Sequence, residues 1–316
     1  MKRLTFTILF VLAGALSCVQ AQYDVHFTHF REMENFYNPA AMNRDSKLNA
    51  IASYSMQMAG YTNAPGSLYA GANSVLPFGM GHHSASASLF NESIGLFSSQ
   101  RLTIDYAYKI GIGRAWLNLG IQAGVMSQQF DGSEVRAKDG GDPAFPSGKD
   151  KGTTADLAAG LFFMCGELYL GASCQHLNAP HVEFGKPDAA QTYMDIARMY
   201  YIHGGYNIRT NNPLFTIQPC FMLASDLESF RTDFQARAVY CYEKFDLYCG
   251  LTWSPDISWT VLLGGTYGNM TVGYAYELFT RGVGYLNGSH DLILNWKKEV
   301  DFFKKGRNSH KSVRYL

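Results

Sequence analysis

The sequence has 316 residues and a formal net charge of zero, so it lacks the overall positive charge of a typical nucleic-acid-binding protein. Charged residues make up only 16% of the chain and aromatic residues 14%, whereas ordinary soluble domains carry roughly 25% charge. After the N-terminal leader, no apolar run reaches the roughly 18 residues that a transmembrane helix needs. This composition is typical of strands with one lipid-facing side. A large soluble β-sandwich or propeller is the alternative.

Residues 1–21 have the pattern of a secretory signal peptide. Two basic residues open it, residues 4–16 form an apolar stretch, and a small-residue pattern precedes a cleavage point after Ala21. We therefore expect the chain to be exported and this leader to be removed. The alternative is a lipoprotein acylated at Cys18, although the residues before it fit that processing site poorly.

Apolar and polar residues alternate with a period of two along residues 47–297. In the segment 270–278, large apolar side chains occupy the even positions, while small or polar ones occupy the odd positions. Segments of about ten such residues, separated by turn residues, are the signature of a transmembrane barrel. Fourteen strands are predicted, at residues 47–60, 66–76, 82–90, 99–111, 114–127, 152–164, 167–177, 198–208, 213–225, 230–243, 245–254, 258–268, 270–280 and 288–297.

The connections between the predicted strands differ in length according to their position in the order. Connections after even-numbered strands are tight, as at 112–113 and 165–166, whereas those after odd-numbered strands are usually longer, as at 128–151 and 178–197. A soluble sandwich has no reason to sort its loops in this way, but bacterial outer-membrane barrels do so. The sequence therefore predicts an all-β fold, a transmembrane antiparallel β-barrel of about 14 strands over residues 47–297.

Two segments flank the predicted barrel, at residues 22–46 and 298–316. With an even number of strands, both are expected outside the barrel on the side of the tight turns, which is the periplasm in this architecture. The C-terminal segment is basic and contains interleaved aromatic residues. A run of charge is usually only solvated, but we interpret this one as a docking site for a partner.

The pattern also makes a prediction about two cysteines that are close in sequence. Cys241 falls in the inward-facing register of its predicted strand, and Cys249 falls in the outward-facing register of the next. Side chains on opposite faces cannot be bridged without reversing a strand. We therefore predict that these two cysteines do not form a disulfide.

No catalytic, cofactor or metal site is expected. His82 and His83 are adjacent in a strand, so they point to opposite faces and are poor joint ligands for one ion. Residues 148–153 resemble a phosphate loop only superficially, and no Gly-x-Ser-x-Gly elbow occurs. Carboxylates expected in the lumen (Asp105, Asp156, Asp233 and Glu277) are interpreted as structural partners of Lys109 and Arg237. An outer-membrane enzyme is thus the least supported function.

The two ends of the chain carry motifs that resemble the PorP/SprF family. Residues 23–30 (YDVHFTHF) resemble the family's QDPxFSQY opening, and residues 35–41 (NFYNPAA) resemble its NPAxAG motif. Residues 288–294 (GSHDLIL) resemble the GSHE motif at the last strand, and residues 311–316 (KSVRYL) resemble the KSPRYF ending. The barrel pattern and the chain length agree with the family along the whole sequence.

This resemblance implies an outer-membrane component of the Bacteroidota type IX secretion system, which exports proteins bearing a C-terminal signal domain. In gliding species, relatives handle delivery of a surface adhesin, which connects the family to gliding motility. The periplasmic partners that it implies are the system's lipoprotein ring and a peptidoglycan-binding anchor protein.

The function that we expect is therefore non-enzymatic: the barrel anchors periplasmic secretion or gliding machinery to the outer membrane. The alternative is an outer-membrane porin or substrate-specific uptake channel, for which residues 128–151 would be the candidate constriction loop. The candidate partner-binding residues are Asn38, Pro39, Lys304, Lys305, Arg307, Lys311, Arg314 and Tyr315.

Overall fold

The computed structural model describes residues 24–42, 47–78, 81–132, 148–184, 192–281 and 288–299. Within these ranges, fourteen strands form one closed antiparallel barrel. The only helix in the described ranges is a single turn, Glu34–Tyr37. No helix in this part of the chain combines the length and the apolar character needed to cross a bilayer.

The barrel strands follow one another around the wall in chain order. They are β1 (Lys47–Met56), β2 (Gly66–Val75), β3 (His83–Ile94), β4 (Phe97–Ile112), β5 (Ala115–Asp131), β6 (Lys149–Cys165), β7 (Leu168–Gln175), β10 (Met199–Tyr206), β12 (Phe215–Ser225), β13 (Phe230–Tyr242), β14 (Phe245–Ser254), β15 (Ser258–Tyr267), β16 (Met270–Phe279) and β17 (Ser289–Glu299). Three short strands are additional to the fourteen: β8 (His181–Phe184) and β9 (Thr192–Asp195) form a separate hairpin, and β11 (Ile208–Arg209) pairs with β12.

The first and last strands close the barrel. β1 pairs antiparallel with β17, from Lys47 opposite Glu299 to Met56 opposite His290. β10 bridges β7 and β12, so every barrel strand has two neighbours. Closure lets the backbone N–H and C=O groups of the wall bond within the wall, as a hydrocarbon environment requires.

The predicted strand number and order are confirmed. β1 is shorter and β3 is longer than predicted, and β5 and β6 are also longer. These two strands continue to pair as far as Asp131 opposite Lys149, where the Lys149 ammonium and the Asp131 carboxylate lie 3.0 Å apart. The polar character of this extension hides it from a search for alternating apolar residues.

The two ends of the barrel carry different connections. Two-residue turns at 113–114, 166–167, 243–244 and 268–269 lie at one end, which we call the tight-turn rim. The opposite end, the long-loop rim, carries the connections 132–148 and 176–198. The predicted sorting is therefore present, although the connection at 95–96 is a tight turn on the long-loop rim, and 76–82 and 207–214 are longer than expected on the tight-turn rim.

The tight turns have the backbone conformation that two-residue hairpins require. Gly113, Gly166 and Gly268 have φ values of +61°, +58° and +59°. This left-handed region matches the twist of the flanking strands and is free of strain only for glycine. Glu243 occupies the corresponding position of the fourth turn, with φ of 52°.

The two faces of the wall have opposite chemistry. Large apolar side chains such as Ile104, Ile121 and Leu263 are more than half exposed on the outer face, which is the face that lipid covers in a barrel of this type. Cys241 lies in the inward register with Asp233, whereas Cys249 is exposed on the outer face. Both are free thiols, as predicted.

Candidate functional site

Residues 24–42 lie inside the barrel and fill its lumen; we call this segment the plug. Its apolar residues Val25, Phe27, Phe30, Met33, Phe36, Tyr37, Ala40, Ala41 and Met42 are all buried. Except for Met42, they form one core with the wall residues Ile51, Tyr69, Phe90, Phe162, Tyr169, Met199, Tyr201, Cys220, Met222, Ala224 and Ile293. The expectation that residues 22–46 lie outside the barrel is therefore wrong for residues 24–42.

The reason for this difference is that the plug has no regular secondary structure beyond one helical turn. Its apolar residues do not alternate with a period of two, and Pro39 interrupts the helix-like spacing of those at 33–41, so a search for strands and helices passes over it. A different signal is present in the sequence. Between Asp24 and Met42 the chain is rich in phenylalanine, tyrosine and methionine. Burial of these apolar side chains is favourable, so a segment of this composition is expected to pack against other parts of the protein.

The plug extends from one rim of the barrel to the other. At its start, the Asp24 carboxylate lies 3.2 Å from Nε2 of His176, which directly follows β7 at the long-loop rim. At its end, the carbonyl of Met42 accepts a hydrogen bond of 2.7 Å from the amide of Asn118, near the tight-turn rim. The polypeptide therefore fills the lumen from near the tight-turn rim up to the level of His176.

An aromatic cluster packs the middle of the plug against the wall. The rings of Phe27 and Phe36 meet edge to face with centroids 5.2 Å apart, and Phe36 also contacts Tyr69 and Phe90 at 5.3 and 5.4 Å. The guanidinium of Arg101 lies 5.1 Å from the Phe36 ring centroid. Contacts of this geometry stabilise beyond simple burial, so this cluster fixes the plug laterally.

The helical turn ends at Asn38, which is fully buried. Its side-chain oxygen accepts a hydrogen bond of 2.9 Å from the N–H of Ala40, which holds Asn38, Pro39 and Ala40 in a tight turn. Its side-chain nitrogen donates a hydrogen bond of 2.9 Å to the carbonyl of Leu161 and lies 3.2 Å from Nε2 of His203. The amide thus defines the turn and joins it to two strands of the wall.

Three wall glycines make room for this turn, and we call them the glycine cradle: Gly120 of β5, Gly160 of β6 and Gly171 of β7. A Cβ atom at Gly120 would lie 2.5 Å from the carbonyl carbon of Pro39, and one at Gly171 would lie 2.8 Å from the Asn38 side-chain nitrogen. A Cβ atom at Gly160 would also overlap the Asn38 amide. Only glycine lets the turn approach the sheet this closely.

Wall side chains bind the main chain of the plug at several heights. Asp291 of β17 accepts hydrogen bonds from the N–H and the hydroxyl of Thr28, at 2.7 and 2.6 Å. Gln235 of β13 donates to the Thr28 carbonyl at 3.2 Å, and Ser173 of β7 donates to the Tyr37 carbonyl at 2.7 Å. Because the plug has no sheet partner of its own, these side chains satisfy polar backbone groups that burial would otherwise leave unpaired.

Two ionic contacts tie the plug to separate strands of the wall. His176 lies between the carboxylates of Asp24 and Asp156, at 3.2 and 2.8 Å. Burial alone would lower the pKa of His176, but the two carboxylates more than compensate and raise it to about 9. In the second contact, Arg237 of β13 pairs with Glu32.

The structure brings together motifs from opposite ends of the sequence. Thr28, in the stretch 23–30, bonds directly to Asp291, in the stretch 288–294. Asn38 and Pro39, expected to bind a partner, lie inside the barrel. The remaining candidate residues (Lys304, Lys305, Arg307, Lys311, Arg314 and Tyr315), Cys18 and the expected signal peptide fall outside the described residues.

The lumen carboxylates have structural partners, but not the ones predicted. Asp233 and Glu277 both pair with Arg231 instead of Lys109 or Arg237. Asp105 accepts hydrogen bonds from Ser86 and Gln122, and Asp156 faces His176. The period-two pattern correctly predicts that these four carboxylates face the lumen. Which side chain each one pairs with depends on the shear of the barrel and on the plug, and a single sequence does not reveal these.

His82 and His83 make separate contacts at the tight-turn rim. Nδ1 of His82 lies 2.7 Å from the carbonyl of Lys109, whereas Nδ1 of His83 lies 2.6 Å from the hydroxyl of Tyr106. Within the described ranges, no group of three or more histidine, cysteine or acidic side chains is arranged to hold a metal ion.

A cavity of about 440 Å³ lies above the start of the plug at the long-loop rim. Asp24, Arg101 and His176 line its base, and Glu92 and Met194 are among the residues that line its sides. The lumen is thus filled by the plug, while its outer mouth stays open; we call this cavity the vestibule.

The closed wall, with its apolar outer face and polar inner face, defines an outer-membrane, multi-pass β-barrel. Solved structures agree: a FadL homologue of Pseudomonas aeruginosa matches with a TM-score of 0.52 and 10% identity over 83% of this chain and 92% of that chain. The toluene transporter TodX of Pseudomonas putida matches with a TM-score of 0.51 and 10% identity over 88% and 95%. At this identity the likeness shows the fold alone.

The model of one protein family, the type IX secretion system membrane protein PorP/SprF, matches residues 19–296. The chain therefore belongs to the PorP/SprF family. No curated protein matches the chain.

The glycine cradle gives a test of plug docking. Gly120→Ala should release the Asn38 turn, because the added methyl group overlaps Ala40 and Pro39; overpacking of this kind costs about 1–3 kcal/mol. In detergent, we expect added protease to cut the plug of this variant faster than that of the wild type. Gly111→Ala is the matched control, since nothing lies within 4 Å of its added Cβ. Equal cleavage of the two variants would contradict the cradle.

The His176 contact gives a test by pH. Because its pKa is raised above the ordinary 6.5, protonated His176 stabilises docking fully below about pH 6.5 and loses this contribution as the pH rises through about 9. The thermal unfolding midpoint of the wild type should therefore fall above about pH 8 relative to His176→Ala. His181→Ala is the control, because the His181–Asp195 pair is solvent-exposed. Parallel pH profiles of the wild type and His176→Ala would show that this pair does not hold the plug.

Proposed function

We propose that this chain is a non-enzymatic outer-membrane component of the type IX secretion system that anchors periplasmic secretion or gliding machinery to the outer membrane. The observation that carries the proposal is the combination of family membership with a lumen filled by the chain's own plug. A filled barrel is poorly suited to free diffusion of solutes. The two rims of the barrel and the residues that follow β17 are then the parts that can contact other proteins of the envelope.

In this proposal the tight-turn rim faces the periplasm, as in bacterial barrels generally. β17 ends at Glu299 on this rim, so the tail that follows begins on the periplasmic side. Its basic and aromatic residues (Lys304, Lys305, Arg307, Lys311, Arg314 and Tyr315) are the proposed contacts. The proposed partners are the lipoprotein ring and the peptidoglycan-binding anchor protein of the secretion system.

The role proposed for Asn38 and Pro39 differs from that of the tail. Since Asn38 is fully buried in the docked plug, these two residues could meet a partner only after the plug leaves the lumen. We therefore assign partner docking to the tail and plug seating to the Asn-Pro turn.

A substrate-specific uptake channel or porin is the second candidate, and the open vestibule favours it. The cavity of about 440 Å³ could admit a small solute from the long-loop side. Passage would require the plug to move, so a channel of this kind would be closed at rest. Ohmic conductance of the wild-type protein in a planar bilayer, without secretion partners in the native envelope, would favour this function.

Deletion of residues 304–316 tests the anchoring role. We expect the shortened barrel to insert normally, because its strands are complete, but to lose most of its co-purification with periplasmic partners from the native envelope. A full-length chain with residues 304–316 in scrambled order keeps the charge and is the matched control; it should also lose capture. If the deletion variant still co-purifies fully with the periplasmic partners, the tail is not their docking site. If the scrambled variant co-purifies with them, the interaction depends only on the net charge of the tail.

A further inference from the structure

We propose that the lumen is a polypeptide-binding site for which the plug is a displaceable ligand. The ligand that the lumen binds is a single irregular segment with an Asn-Pro turn, an aromatic middle and a carboxylate at its outer end. The same wall would then hold this segment when it is supplied as a separate chain. The proposal concerns the lumen alone and does not depend on the anchoring role.

The first argument is that the wall recognises main chain. Side chains of four strands, β5, β7, β13 and β17, bond to backbone groups of the plug. Gln175 adds a further bond of 3.0 Å to the Tyr37 carbonyl. Contacts to N–H and C=O groups are the means by which proteins bind extended peptides of any origin.

The second argument is that the wall also selects side chains. At the outer end His176 receives the Asp24 carboxylate, and on one side Arg237 receives Glu32. At the inner end the glycine cradle receives the amide of Asn38. Three separated anchor points define both the direction and the register of a bound segment.

The third argument is that the plug–wall boundary is not fully hydrogen-bonded. Among the described residues, Oε1 of Gln175 and the hydroxyl of Tyr248 on the wall are buried without a hydrogen-bond partner. Buried polar atoms of this kind destabilise the state that buries them and gain water when exposed. Release of the plug therefore recovers part of the free energy that is lost when its packing contacts with the wall are broken. This favours exchange of the plug.

The fourth argument is access. The plug precedes β1 in the chain, and Met42 and the start of β1 at Lys47 both lie near the tight-turn rim. Its other end lies beneath the vestibule, where Asp24 lines an open cavity of about 440 Å³. The outer end of the plug therefore borders a cavity rather than closely packed side chains.

The experiment uses the full-length protein with a protease site inserted between Met42 and Lys47. After folding in detergent, cleavage leaves the plug held without a covalent link. A fluorescent synthetic peptide with the sequence of residues 24–42 is then added, and its binding is followed by anisotropy. Folding of the barrel is checked by heat-modifiable gel migration before and after exchange.

We expect the labelled peptide to bind the cleaved protein and to be displaced by the unlabelled peptide. Uncleaved protein should take up little of it, because a tethered plug competes at high effective concentration. A peptide carrying Asn38→Ala should bind at least roughly tenfold more weakly, since it loses the bonds to the wall and to its own turn. A peptide of scrambled sequence is the control and should not bind.

Three outcomes would overturn the proposal. The cleaved barrel could keep its plug and take up no labelled peptide, which would make the plug a permanent part of the core. Barrel migration could be lost when the plug leaves, which would show that the lumen is not an independent binding site. Equal binding of the scrambled peptide would reduce the interaction to nonspecific adsorption.

Discussion

A barrel of fourteen strands is too wide for its own side chains to fill, and this constraint governs the rest of the structure. Barrels of about eight strands are closed by their interior side chains, and those of 16 to 18 strands leave aqueous channels. Here the extra space is occupied by residues 24–42, which bring nine buried apolar side chains into the lumen. The plug therefore supplies the buried apolar packing that a soluble domain has in its core.

The polar lining of the lumen is organised around this occupant. Wall carboxylates and amides face plug backbone at Thr28, Tyr37 and Ala40, while His176 and Arg237 receive its acidic side chains. Three strands carry glycine where the Asn38 turn touches them. The stretches 23–30 and 288–294 thus have a common explanation, since closure of β1 against β17 brings the last strand next to the segment that precedes the first.

The strands of the wall could be predicted from the sequence because each one is determined by residues that are close together in the chain. Alternation with a period of two gives each strand, and glycine-containing turns such as those at Gly113 and Gly268 separate them. The register of Cys241 and Cys249 followed from the same period. The plug was not predictable in this way, because no local period reveals that Phe27, Phe36 and Tyr37 meet wall residues that lie far away in the chain. The sequence does carry one indication that this segment is buried, namely its high content of phenylalanine, tyrosine and methionine.

The central claim, that residues 24–42 sit inside the barrel, is tested most directly by cross-linking the plug to the wall. Asn35 and Ser86 are suitable, because the Asn35 side-chain nitrogen lies 3.0 Å from the Ser86 hydroxyl. Both would be replaced by cysteine in a chain whose own cysteines are changed to serine, and the folded protein treated with dibromobimane, which fluoresces when it bridges two nearby thiols. We predict strong fluorescence for Asn35→Cys with Ser86→Cys and none for Asn35→Cys with Ser74→Cys, whose second position lies on the outer register of β2. A folded barrel in which the first pair stays unbridged would contradict the account.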